Sequence, residues 1–97
     1  MPTSLERIEE RAFLECYKLK NFIIPLNIKY IGTAAFADCH GLEFIDLPQS
    51  LNWLSDFAFA GCRKLKKVTI YPEIILGSMI FDNCELLKEI DWLGTEE

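Results

Sequence analysis

"IGTAAFADCHGLEFIDLPQSL", residues 31–51, decides the fold, because its skeleton recurs along the whole chain. It opens on Ile31, carries Ala35-Phe36, Cys39 and Leu42, and then alternates Ile45 and Leu47 before Pro48. The four cysteines, Cys16, Cys39, Cys62 and Cys84, stand 23, 23 and 22 residues apart. Three residues before each is a phenylalanine: Phe13, Phe36, Phe59 and Phe81. Ahead of these stand Ala12, Ala35 and Ala58, with Ile80 out of pattern. Three residues after each cysteine come Leu19, Leu42, Leu65 and Leu87, then Phe22, Ile45, Val68 and Ile90, then Ile24, Leu47, Ile70 and Trp92. The units open on Ile8, Ile31, Leu54 and Leu76. A fixed period of this length implies stacked units, each one supersecondary element.

Within a unit, the stretch after the leucine alternates apolar, outward, apolar, the period of a short strand. Pro25 and Pro48 end two of these strands, since proline cannot donate to a ladder. The stretch around each phenylalanine has apolar residues at helical spacing but is too short for a full helix. It predicts a turn or two of α- or 3₁₀-helix on the far side of the coil. A unit this small cannot bury enough surface to offset the entropy of ordering its backbone. Stacking remedies that by burying unit faces and pairing the strands into a parallel sheet.

The pattern I-G-x-x-A-F-x-x-C-x-x-L-x-x-I-x-I-P-x-S-L is similar to the 23-residue leucine-rich repeat of the BspA-like (Treponema pallidum type) class, and the resemblance covers nearly the whole chain. The expected architecture is α/β: a right-handed leucine-rich repeat solenoid with a short parallel sheet on the concave face and short helical turns on the convex side. Residues 1–97 read as one domain, with a partial unit at 2–7 and units at 8–30, 31–53, 54–75 and 76–97. The second unit fits best; the fourth is offset by one residue and lacks the proline.

Cys39 adjoins His40, the only histidine, which raises the question of thiol chemistry. The repeat answers it: Cys39 occupies the position every unit gives to cysteine, and buried cysteine behaves as a small hydrophobe. Buried free thiols are expected, with a disulfide between adjacent coils as the alternative. The C-x₂₋₄-C pairs of a structural zinc site are missing. The counterparts of His40 are Tyr17, Arg63 and Glu85, which share no chemistry. No Ser-His-Asp set and no phosphate-cradling glycine loop occurs. The chain is therefore expected to be no enzyme and to use no cofactor.

Its 97 residues are 51% hydrophobic and 26% charged, with a net charge of −5. That composition suits a single folded domain and opposes nucleic-acid binding, which needs a basic footprint. The run Arg63, Lys64, Lys66, Lys67 reads as a solvated charge face. No apolar run approaches the roughly 20 residues of a membrane span, so no membrane insertion is expected. The opening "MPTSLERIEE" is too charged for a signal peptide. A complete chain would then be cytoplasmic; a fragment of a longer family member would belong to the cell surface or be secreted.

In a leucine-rich repeat solenoid the residues between the buried strand positions face outward. One such row is Asn21, Phe44, Lys67, Glu89, and the next is Ile23, Asp46, Thr69, Asp91. Ile23 and Phe44 form either an apolar spot with a charged rim, the make-up of a binding patch, or two scattered surface apolars. A second stripe, Tyr30 and Trp53 with Phe57 nearby, either attracts a partner or seals the edge of the core. The ends offer a third surface, since Leu5 and Ile8 start the stack without a cap and Trp92 and Leu93 close it. The leading expectation is a non-enzymatic protein-interaction module of adhesin type, binding a protein partner through the concave face. Family resemblance implies that role, since such proteins are often bacterial or protist surface proteins. The alternative is a structural or assembly fragment of a longer array, forming homo-oligomers through its open ends.

Overall fold

A computed structural model describes residues 6–20, 23–71 and 74–92, the side chain of Trp92 excepted. Asn21, Phe22, Leu5 and Leu93 lie outside the described residues, as does most of the predicted partial unit. The chain forms a parallel-strand solenoid of about four coils, and every strand pairing is parallel.

Two sheets run along the stack. The first joins four two-residue strands: β1 (Arg7–Ile8), β2 (Tyr30–Ile31), β4 (Trp53–Leu54) and β6 (Ile75–Leu76). The second joins β3 (Phe44–Asp46), β5 (Lys67–Ile70) and β7 (Glu89–Trp92). Its register sets Phe44 beside Lys67 beside Glu89, Ile45 beside Val68 beside Ile90, and Asp46 beside Thr69 beside Asp91. These are the rows expected from the period. In the first coil, Ile23 and Ile24 run through irregular backbone where a strand is expected. The four-stranded sheet is an addition, since two residues per coil are too few to show a period.

The far side of each coil corrects one expectation: among the described residues it holds turns and no helix. Two residues per coil there have left-handed backbone, seen as Arg11 and Glu15 (φ 58° each), Ala34 and Asp38 (56° and 59°), Phe57 and Gly61 (58° and 75°), and Met79 and Asn83 (54° and 60°). Positive φ at the third residue of a closed four-residue turn is the type II signature. It also reverses alternate peptide planes. Ala12, Leu14 and Cys16 therefore donate within the coil, to the carbonyls of Glu9, Arg11 and Phe13. Arg11, Phe13 and Glu15 donate instead to Thr33, Ala35 and Ala37 of the next coil, at 2.7–2.9 Å. A helix would spend all these donors on itself. Stacked turns spend half of them on holding coil to coil.

The core lies between these walls. Ile31, Phe36, Cys39, Leu42, Leu54, Phe59, Cys62, Leu65 and Val68 are fully buried. The phenylalanine rings stack face to face with centroids 5.0, 5.1 and 6.0 Å apart, from Phe13 through Phe36 and Phe59 to Phe81. The first two spacings match the ~4.8 Å between neighbouring strands, so one ring per coil lines the spine. Gly32 follows β2 because a Cβ there would stand 2.5 Å from the backbone nitrogen of Glu10 in the preceding coil.

Candidate functional site

The Cys39–His40 pair is divided between the inside and the surface. The Cys39 thiol donates to the Phe13 carbonyl of the preceding coil at 3.1 Å. Cys62 and Cys84 repeat the contact on Phe36 and Phe59, both at 3.2 Å. Burial pushes the Cys39 thiol up to about 11 and raises Cys62 and Cys84 as well. A thiol that must stay protonated is a poor nucleophile and a poor metal ligand. All four cysteines are free. The His40 ring instead stacks on Tyr17, with centroids 4.8 Å apart, and its Nε2 lies 3.9 Å from the Asp38 carboxylate. Among the described residues no cluster of three or more histidine, cysteine or acidic side chains is arranged to hold a metal, and no helix is long and apolar enough to cross a membrane.

The outer face of the three-stranded sheet carries the predicted rows. Phe44 is about half exposed and shares its row with Lys67 and Glu89. Ile23 is 84% exposed and lines a groove of about 500 Å³ with Asp46, Thr69 and Asp91. Leu26, Gln49 and Tyr71 complete its wall. The structure therefore brings Ile23 to the aspartate row, as expected, but joins it to Leu26 in the groove rather than to Phe44. Leu26 escaped the sequence reading. Its signal was an apolar residue directly after Pro25, where the next unit has Gln49 after Pro48.

The second stripe sits on the four-stranded sheet. Tyr30 and Trp53 meet edge to face at 5.5 Å, and the Arg7 guanidinium lies 4.2 Å over the Tyr30 ring while its Nε donates to Glu9 at 3.0 Å. Trp53 is 48% exposed and pairs in register with exposed Ile75. Phe57 and Met79 are exposed beside them. Thr33 and Ser55 hydroxyls, 3.0 Å apart, tie the neighbouring coils just past the strands.

Burial falls off in the first and last described coils. Leu76 and Ile90 are 43% and 40% exposed, whereas their counterparts Leu54 and Val68 one coil earlier are fully buried. At the other end Phe13, Cys16 and Leu19 are half-buried and border a shallow apolar hollow with Tyr17.

The same architecture occurs in solved bacterial structures. A leucine-rich repeat protein from Bacteroides ovatus superposes with a TM-score of 0.83 at 28% identity, over 87% of this chain and 22% of that protein. A leucine rich cell surface protein from Faecalibacterium prausnitzii gives a TM-score of 0.71 at 28% identity, over 99% of this chain and 32% of that protein. The chain thus spans between a fifth and a third of these relatives. No curated protein matches it. Residues 1–95 match the family described as BspA type leucine rich repeat region (6 copies). In its period, its parallel coils, its phenylalanine–cysteine spine and its sequence, the chain belongs to the BspA-type leucine-rich repeat family.

Proposed function

We propose that the chain is a non-enzymatic protein-interaction module that binds a protein partner through the outer face of the three-stranded sheet. Repeats of this family generally serve as protein-interaction modules. The observation that supports this face is the groove beside Asp46, Thr69 and Asp91, with exposed Ile23 at its lip and Phe44, Lys67 and Glu89 in the next row. An apolar contact inside a charged rim is the usual make-up of a protein interface. The cell-surface description of the Faecalibacterium relative supports work at a bacterial surface.

Affinity capture from the source cells, repeated with variants, tests the site. Ile23→Ala with Phe44→Ala should cost about tenfold or more in affinity for the captured partner, as for truncated anchors in other interfaces. Near-UV circular dichroism should stay unchanged. Loss only with Trp53→Ala and Phe57→Ala would move the site to the second stripe. Retention by both pairs would reject both faces.

A further inference from the structure

The groove on the three-stranded sheet has a shape and a charge that select its occupant. We infer that it takes an extended segment of a partner protein, with an apolar side chain against Ile23 and Leu26 and basic side chains on Asp46 and Asp91. This rests on the sheet-face reading and specifies the chemistry of the partner.

The groove follows a row with one outward residue per coil. Asp46, Thr69 and Asp91 stand side by side in register, and Ile23 lines the same groove one coil before Asp46. Buried Leu47 and Pro48 also line it. Ile23 and Leu26 are both exposed at one end, which sets two large apolar side chains beside the hollow and gives an anchor a place to bury surface.

The rest of the row carries charge of one sign. All ten lysines and arginines lie among the described residues, and no ion pair joins any of them to Asp46 or Asp91. Lys67, two residues before Thr69 on β5, belongs to the neighbouring row with Glu89. The two aspartates are two strand spacings apart, about 9.6 Å, and no third ligand joins them into a metal site among the described residues. Each can therefore take a cation of its own, and lysine or arginine is the protein group that supplies one with charge-assisted hydrogen bonds. An acidic segment would meet like charge at both positions and be turned away.

Spacing selects the form of the segment. From Ile23 to Asp91 is three coil spacings, about 14 Å. In an extended chain the side chains i, i+2 and i+4 face one way and span about 13 Å. An apolar residue followed at every second place by a basic one therefore matches the row from end to end. The Thr69 hydroxyl, between the aspartates, can accept from either ammonium.

The blocked peptide Leu-Thr-Lys-Thr-Lys is the probe, with Leu-Thr-Glu-Thr-Glu and Leu-Thr-Ser-Thr-Ser as controls, each titrated into the isotope-labelled chain and followed by amide NMR. The lysine peptide should move the signals of Ile23, Asp46, Thr69 and Asp91. Its affinity should fall about three- to thirtyfold in Asp46→Asn with Asp91→Asn, the range for two exposed ion pairs, and should fall with added salt. Equal binding of either control, no loss in the asparagine variant, or no shift with any peptide would overturn the basic segment. So would movement of the same signals with protein concentration alone, which would make a second copy the occupant. The partner captured from source cells separates this from the sheet-face reading. Loss of that partner with Ile23→Ala and Phe44→Ala but not with the asparagine variant would keep the face and remove the basic segment. Loss with neither would remove both.

Discussion

A cysteine in each coil is more than a small apolar filler. Its sulfur satisfies the phenylalanine carbonyl of the coil before, at 3.1–3.2 Å, on the one stretch where the turn backbone leaves that carbonyl half-used. The phenylalanine carbonyl already accepts the cysteine's own counterpart amide, as Cys39 N–H does with Phe36 at 3.3 Å, so the thiol takes the second lone pair. Burial and this contact keep the proton on sulfur, and that has a pH consequence. The Cys39 thiol, ordinarily ionising near 9.0, is pushed up to about 11 in the folded chain, so between these values only the unfolded state releases the proton. The linkage makes stability full below pH 9 and progressively lost as pH rises towards 11. Thermal unfolding from pH 8 to 11 should therefore show a steeper fall for the wild type than for Cys39→Ala, each compared with its own midpoint at pH 8. Equal slopes would mean that the thiol ionises as readily folded as unfolded.

At the scale of the element, the coil wall is set by how closely one turn can lie on the next. Gly32 has the backbone of Glu9 and Glu10 where its side chain would be, whereas the same position in the third coil accommodates Ser55. Gly32→Ala should cost about 1–3 kcal/mol in urea unfolding, the range for overpacking a tight contact, because the obstructing atoms are backbone and cannot swing away. Ser55→Ala should cost less than that; the reverse order would remove coil spacing as the reason for the glycine. These elements were unevenly legible in the sequence. The rows of the three-stranded sheet were readable because residues 44–46, 67–69 and 89–91 alternate and repeat at one interval, which fixes register and facing together. The turns were misread as helical because both conformations bring residues three apart, such as Phe13 and Cys16, to one side. Positive φ at two places per coil tells them apart; the first is held by Arg11, Ala34, Phe57 and Met79, which share no side-chain type, and the second by Glu15, Asp38, Gly61 and Asn83. The aromatic stripe was visible as a list of residues, but not the second sheet that displays it. The groove was half legible: the aspartate row follows from the period, while Leu26 depends on how the chain turns after Pro25.

For the whole molecule, repetition makes stability a property of neighbours. Each coil of a solenoid contacts only those beside it, so total stability is approximately a sum of coil terms and interface terms. The coils at 31–53 and 54–75 have a neighbour on both sides and contain all the fully buried phenylalanine, cysteine and leucine positions, whereas Phe13 and Phe81 remain half-buried. Amide hydrogen exchange in a dilute sample should therefore be graded. The amides of Phe36, Asp38 and Phe59 should be slowest, since each donates to the next coil within the buried spine. Those of Leu87 and Cys84 should be faster, because the core side chains of their coil are only partly buried. Uniform protection across all four coils would show instead that the chain unfolds only as a unit, with the end coils as tightly held as the centre. The order of exchange thus measures on one chain what each added coil contributes.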